Sequence, residues 1–399
     1  MTKRAKGESS GYRRDARTAS GEPPATINQV ALHAGVSRST VSNVANGLYD
    51  RVNARTFERV AESIRLLNYK ANTAARLLRS RQARPTVLGF LVPSIANPFC
   101  ASLAGALDHA ARERGFDLLL RNTGSDQATE HRLVEELIAD GIRCVALASS
   151  TADESVLRAW IHRGLCVVSF DRLGSDRIGL PMDTVSLDNF HAGHTATRHL
   201  IENGHTAIAY ATQPIVTRQM HWLTRSDRRD GYLAAMTEAG QEDNAVVFEL
   251  PVAGKHPDTA LSASGRQIAL KMMGRRTRPT GIVAMNDLVA LSLIGALHSI
   301  GVRVPDDVSI VGIDGLSIGA LSAPALTSMH QPLGAIAGAA IEMMHARLVS
   351  AQLPATATAF RASLIARASV RDLAREATAR MSPDSVATMV SQRSVREKT

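Results

Sequence analysis

The sequence predicts a small all-α head joined to a larger α/β body with parallel sheets. Two observations carry this. The excess positive charge sits at the front of the chain, on a segment whose apolar residues recur at helical spacing. From Thr86 onward, short β-branched runs alternate with helical stretches, the signature of βαβ units.

The 399 residues are 45% apolar and 21% charged, enough for a large core and against wholesale disorder. No run of about 18 uninterrupted apolar residues exists, so no membrane partner is expected. Residues 1–25 are basic and polar without an apolar stretch, which argues against a secretory signal. Cys100, Cys144 and Cys166 show no ligand spacing, so neither a disulfide framework nor a zinc site is expected, and a reducing cytoplasm is the default. Residues 1–84 hold 16 Lys and Arg against 6 Asp and Glu, whereas the remaining 315 hold 30 against 31. That asymmetry points to a nucleic-acid-binding head on a near-neutral body, with a merely solvated basic tail as the alternative.

In the head, residues 1–24 mix Lys, Arg, Ser and Gly up to Pro23-Pro24 and read as a disordered basic arm. Thr26 is a credible N-cap, and Ile27, Val30, Ala31 and Ala34 follow at helical spacing. Gly35 breaks that helix, Ser37 caps the next, and Val41, Val44 and Leu48 form its apolar stripe. A third helix starts near Asn53, lined by Phe57, Val60, Ala61, Ile64 and Leu67. Two short helices joined by a Gly-containing turn fit a helix-turn-helix, whose second helix enters the DNA major groove. The outward face of that helix carries Arg38, Ser39, Ser42, Asn43 and Asn46, with no carboxylate among them. Residues 70–85 are polar and Arg-rich and read as a linker.

In the body, the expected strands are Val87–Val92, Asp117–Leu120, Cys144–Ala148, Val167–Phe170, Thr184–Leu187, Ala207–Tyr210, Gly281–Met285 and Val308–Ile313. Helical patterns Ser102–Arg114, Thr129–Ala139, Ala192–Asn203 and Leu288–Ser299 lie between them. Ligands of parallel α/β sheets sit beyond the carboxyl ends of the strands. Candidates for a polar cleft are therefore Ser94–Phe99, Asn122-Thr123, Ser149-Ser150, Asp171-Arg172, Asn286-Asp287 and Asp314, each with a turn or cap role as the alternative.

The run Ile27-Asn28-Gln29-Val30-Ala31, Ala34-Gly35-Val36-Ser37, Thr40-Val41-Ser42, Val44 and Asn46 resembles the headpiece of the lactose/galactose repressor family of bacterial transcription regulators. Leu67-Asn68-Tyr69 and Asn72-x-x-Ala75-Arg76-x-Leu78 continue the likeness. The resemblance implies a helix-turn-helix domain over 25–70 and a hinge helix within 71–85 that orders on DNA. It implies that Arg38, Ser39 and Asn43 face bases, with Ser37, Thr40 and Ser42 on phosphates and Asn46 and Arg76 in the same interface. Leu78 would wedge into the minor groove, where extra contacts on bent DNA offset the cost of unstacking a step. Two positions depart from the family pattern: Asn43 stands where Arg is usual, and Ala71 where proline is common. Arg matches guanine and Asn matches adenine, so the family's usual half-site does not carry over.

The likeness extends through Val92-Pro93-x-x-x-Asn97-Pro98-Phe99, Asp171-Arg172, Arg228-x-x-Gly231, Asn286-Asp287, Val311-Gly312-Ile313-Asp314 and Leu326-Thr327-x-x-x-Gln331-Pro332. It implies a periplasmic-binding-protein-like effector-binding and dimerisation domain over 86–370 with two α/β subdomains, 86–187 plus 330–350 and 188–329 plus 351–370. Family contacts carried over position by position give Phe99, Arg172, Arg228, Asp287, Asp314 and Gln331 as effector-binding, with Arg228 and Asp287 foremost. Arg228, with Arg229 beside it and Arg172, offers guanidinium groups for an acidic sugar or sugar phosphate, with surface exposure the alternative for Arg229, and Trp222 is a candidate second aromatic platform. Residues 371–399 form a polar C-terminal tail without leucine heptads, which argues for a dimer.

An enzyme is the competing class. No P-loop or HExxH occurs, and the one GxSxG, Gly315–Gly319, lacks the helix and ordered acid and His of a nucleophile elbow; Glu342 and His345 are the nearest pair. The cluster His191, His194, His199 and His205 lacks carboxylate or Cys support for a metal. The resulting expectation is a cytoplasmic, homodimeric, ligand-controlled repressor with double-stranded operator DNA and a small sugar-like effector as partners, without cofactor, metal or catalysis. A periplasmic solute-binding protein would share the body but lack the helix-turn-helix.

Overall fold

The structure, a computed structural model, describes residues 26–45, 52–67, 86–148, 154–170, 182–214, 222–249, 257–351 and 353–380. It divides into two compact units, 1–84 and 85–399.

In the first unit, helices α1 (Ile27–Ala34), α2 (Arg38–Ala45) and α3 (Ala54–Leu66) close around Val30, Ala31, Ala34, Val41, Val44 and Val60. Thr26 and Gln29 form a reciprocal capping box at the start of α1, and Gly35 ends it in the left-handed conformation at φ 60°. Asn53 caps α3 by accepting from Thr56 N at 2.8 Å. Ser63 completes the core where an aliphatic residue would be expected: its hydroxyl donates to Arg59 O at 2.8 Å and lies 3.0 Å from His33 Nδ1, so the buried polar group is satisfied. Leu48, in the expected stripe of α2, lies outside the described residues.

The second unit holds two six-stranded sheets. Its elements run β1 (Thr86–Val92), α4 (Pro98–Glu113), β2 (Phe116–Asn122), α5 (Gln127–Ala139), β3 (Cys144–Leu147), α6 (Glu154–His162), β4 (Cys166–Phe170) and β5 (Asp183–Leu187). They continue as α7 (Asn189–Glu202), β6 (Ile208–Thr212), α8 (Trp222–Glu238), β7 (Val246–Glu249), α9 (Pro257–Met273), β8 (Gly281–Ala284), α10 (Asp287–Ser299), β9 (Ser309–Asp314), α11 (Ser317–Ala320) and β10 (Thr327–His330). The chain ends with α12 (Leu333–Val349), β11 (Ala357–Phe360), β12 (Ser363–Ile365) and α13 (Leu373–Arg380).

The first sheet has strand order β11-β5-β4-β3-β1-β2 and the second β12-β10-β9-β8-β6-β7. Every pairing is parallel except β12 against β10. The chain passes between the sheets at 187–189, at 330–333 and at 360–363. The third passage corrects the expected boundary at 350: β11 pairs with β5, so residues through Phe360 belong to the first subdomain. Arg347 fixes that return. Its Nε donates to Asp183 Oδ2 at 2.8 Å, and its Nη1 to Leu353 O at 2.6 Å, so helix, strand and returning loop share one buried ion pair.

The four expected helices all begin earlier than their apolar periodicity suggests, because each first turn is set by a polar cap. Asn97, Asp126, Asp188 and Asn286 accept from the backbone N–H of Phe99, Thr129, His191 and Val289. The strands absent from the sequence reading, β7, β10, β11 and β12, have three or four residues, and three of them are sheet edges. The tail also begins with structure. Leu373 N donates to Asn203 O at 2.9 Å, and Arg371 N to Ser309 Oγ at 2.9 Å, which docks 371–380 on the second subdomain.

Candidate functional site

Two sites emerge, one in each unit. In the first, Ser37 starts α2: its hydroxyl accepts from Thr40 N at 3.2 Å and lies 2.7 Å from Ser39 Oγ and 2.9 Å from Thr40 Oγ1. Val41 and Val44 face the core, which turns Arg38 and Ser39 to solvent and leaves Ser42 and Asn43 half-exposed. Arg38, Ser39 and Asn43 thus share the accessible side of a helix whose first turn carries a cluster of hydroxyls, a surface suited to phosphates and base edges. Asn46, Arg76 and Leu78 lie outside the described residues.

In the second unit a cavity of about 320 Å³ lies between the two sheets, at the carboxyl ends of their parallel strands. Phe99, Leu103, Phe170, Val185, Met285 and Ile336 supply its apolar surface, and both subdomains add polar groups. Four of the expected effector residues line it: Phe99, Arg228, Asp314 and Gln331. Phe99 follows the cap Asn97 at the start of α4 and is half-buried beside the first core. Arg228 projects from α8. Its Nε donates to Asn189 Oδ1 at 2.8 Å and its Nη1 to Met285 O at 2.6 Å, with Asp314 Oδ1 at 3.9 Å. Gln331 Nε2 donates to Asp314 Oδ1 at 2.8 Å. Asp314 has φ 139°, which L side chains rarely adopt, so the carboxylate that ends β9 is held at some backbone cost.

Asp287 corrects an expectation. It is fully buried and does not line the cavity. One carboxylate oxygen accepts from Leu316 N at 2.7 Å and the other takes a short hydrogen bond from Ser328 Oγ, whose oxygen in turn accepts from Gly315 N at 3.0 Å. Asp287 therefore clasps the 314–316 turn to β10, and its neighbour Asn286 faces the cavity instead. Burial pushes the Asp287 carboxyl above the usual range, against the opposing pull of the hydrogen bonds from Ser328 and Leu316. Arg229 also turns away, donating to Asp230 Oδ1 at 2.8 Å. Thr123 is buried and donates to Val92 O at 3.2 Å, so it is a turn residue. Ser149, Ser150, Asp171, Arg172 and the Trp222 side chain lie outside the described residues.

The sequence reading missed Gln213, Thr224, Arg225 and Ser186, which also line the cavity. Thr224 and Arg225 lie one turn before Arg228 on α8, so the 3.6-residue period was an available signal. Arg225 donates Nη1 to Pro214 O at 3.1 Å; its Nε and the Thr224 hydroxyl have no partner among the described residues. Burial holds the Arg225 guanidinium below its ordinary pKa.

The residues of the GxSxG reading and of the histidine cluster have other partners or surroundings. Ser317 is exposed on the four-residue α11, Glu342 pairs with Arg114, and the His345 ring lies against Phe116. His194 is 2.8 Å from Glu238, His205 is 3.0 Å from Thr280, and no metal-binding cluster occurs among the described residues. No helix among them is long and apolar enough to cross a membrane.

Comparison with known proteins identifies both units. Residues 26–72 match the model for bacterial regulatory proteins of the lacI family, and residues 197–370 that for a periplasmic binding protein-like domain. The chain is 32% identical over 329 residues to the HTH-type transcriptional repressor PurR of Aliivibrio salmonicida, spanning 81% of this chain and 92% of that one. The transcriptional regulator CelR in complex with cellobiose superposes with a TM-score of 0.60 at 26% identity, covering 86% and 99% of the two chains. The lac repressor dimer bound to operator and an anti-inducer shares the fold, with a TM-score of 0.62 at 23% identity over 88% and 100%. An α2 whose polar side faces solvent, a cavity between two parallel sheets and a repressor relative matched over most of its length agree: the chain belongs to the lacI family of bacterial regulatory proteins, DNA-binding transcription repressors and not enzymes.

Proposed function

We propose that the chain acts in the cytoplasm as a homodimeric repressor of a pseudo-palindromic operator, controlled by a small polar effector, a sugar or sugar acid. In this reading Arg38, Ser39 and Asn43 meet base edges, while Ser37, Thr40 and Ser42 meet phosphates. Asn46, Arg76 and Leu78 extend that interface through the hinge. Phe99, Arg228, Asp314 and Gln331, with Arg172, hold the effector. The observation that carries the effector half is the cavity itself, with walls from both subdomains, so that its occupant biases their relative position. Apolar surface beside hydrogen-bonding side chains suits a sugar ring, and a solved relative at 26% identity carries cellobiose.

The test is operator binding by the full chain, followed by fluorescence anisotropy with and without a panel of sugars and sugar acids. Coupling of about 1–3 kcal/mol corresponds to roughly 5–150-fold in operator affinity. A panel that leaves operator affinity and melting temperature unchanged removes the sugar-like effector from the proposal.

A further inference from the structure

We infer that the effector carries an anionic group, a carboxylate or a phosphate, and that Arg225 is the residue that selects it. This rests on the proposed effector role of the cavity and narrows the chemistry of its occupant.

The charge inventory of the wall motivates the inference. Arg225, Arg228 and Asp314 are the charged side chains lining the cavity among the described residues. Arg228 is matched within the protein: Asn189, the Met285 carbonyl and Asp314 meet its guanidinium. Asp314 is in turn engaged by Gln331. Arg225 has no such match. Among the described residues it makes no ion pair and donates one hydrogen bond, to the Pro214 carbonyl. Among the described residues its Nε has no acceptor, and the hydroxyl of the adjacent Thr224 has no partner.

A guanidinium offers five N–H donors in a planar fork and stays charged, so one withdrawn from water requires acceptors from somewhere. A neutral sugar hydroxyl supplies them weakly. A carboxylate or phosphate supplies two oxygens in the geometry of the fork and neutralises the charge. The Thr224 hydroxyl, next in sequence and on the same wall, adds a donor of the same kind. The half-buried Arg225, whose Nε has no acceptor among the described residues, thus favours an occupant that brings an anion to it.

Calorimetric titration of the full chain tests this with matched probes: glucose, gluconate and glucose 6-phosphate, then ribose and ribose 5-phosphate. Operator affinity is recorded with each. The expected result is that one anionic member binds more tightly than its uncharged parent by about ten- to hundred-fold, the range of a charge-assisted hydrogen bond. Gluconate and the phosphates separate the two anion sources. Arg225→Gln should abolish the preference, and Arg225→Lys, which keeps the charge but not the fork, should restore part of it. Thermal melting of each ligand-free variant reports its folding. An uncharged parent that binds as tightly as its anionic partner, or a preference that survives in a folded Arg225→Gln, overturns the inference and leaves the effector reading intact. Absence of binding by every probe, with no change in operator affinity, removes the effector reading and the inference with it.

Discussion

Gly193 of α7 and Arg228 of α8 meet backbone to backbone. A methyl group built on Gly193 would overlap the Arg228 carbonyl oxygen and come within 3.0 Å of its Cα. The contact is reciprocal, because a side chain on Gly231 would strike the Phe190 carbonyl. This close approach sets how far Arg228 reaches into the cavity, and Asn189, one turn before Gly193, receives the guanidinium.

Gly193→Ala should therefore act on stability and ligand binding together. Neither colliding atom is a flexible side-chain end, so the helices must separate, at a cost of about 1–3 kcal/mol for overpacking or somewhat more. Chemical denaturation gives the stability change and calorimetry the affinity. A variant with unaltered unfolding midpoint and unaltered affinity would show that the helices yield freely and that the contact positions nothing.

Asp287 makes the stability of the second subdomain depend on pH. Its carboxyl is fully buried and its pKa is raised, mainly by burial. A group whose folded pKa lies above the unfolded one favours the native state while protonated, and that contribution fades as pH rises through the folded value. Asp287→Asn stays uncharged and still accepts from Leu316 N. Its melting temperature relative to wild type should climb as pH is raised from about 4 toward neutrality. A difference that is flat across that range would mean that the carboxylate is not penalised in the fold. Asp287→Ala leaves the Leu316 N–H without its acceptor and should cost about 1–3 kcal/mol at any pH.

Arg347 and Asp183 form the buried ion pair that secures the third passage between the sheets, with side chains only 7% and 3% exposed. The Asp183 hydrogen bond raises the Arg347 pKa further. Arg347→Met strands Asp183 and should destabilise by about 3–5 kcal/mol, the usual cost of leaving one partner charged and buried. Adding Asp183→Asn to that variant should recover part of the loss. A double variant no more stable than Arg347→Met would place the energy in the carbonyls of Leu353 and Pro354 that Arg347 also binds.

The sequence revealed the architecture where packing repeats and obscured it where single contacts decide. Eight strands and the four expected helices were legible because their apolar residues recur at the proper period, whereas α6, α8 and α9 were not read. β11 and β12 were not, because they are half-exposed strands of four and three residues whose place depends on Arg347 and on pairing with β5 and β10. In the cavity, Asp314 was legible as a polar residue at a strand exit, and Arg228 through the family resemblance. Asp287 stood at an equally good strand exit, but the first turn of α10 directs it beneath the 314–316 turn. Spacing alone does not distinguish the two directions. Arg225 lay one helical turn from a residue already singled out, and its significance rests on an Nε without an acceptor among the described residues, which only the structure reveals.

Asn43 is expected to reset the operator half-site. It lies on the same helix as Ser39, one turn further along, and keeps solvent access while Val41 and Val44 turn inward. An amide offers a donor and an acceptor to the N7 and N6 groups of adenine, whereas the Arg usual in the family matches guanine. The selected half-site should therefore depart from the common family sequence at the base this residue faces. Asn43→Arg should shift preference toward guanine there by about 1–3 kcal/mol per half-site. The competing account is that Asn43 is half-buried and short, so that it touches only phosphate and the exposed Arg38 does the reading. Phosphate contacts weaken binding uniformly across sequences when lost, and base contacts relax it at one position. Selection of bound sequences from a random library, run in parallel for wild type, Asn43→Arg and Arg38→Ala, separates the two. Identical motifs for wild type and Asn43→Arg, with specificity lost only in Arg38→Ala, would assign the reading to Arg38.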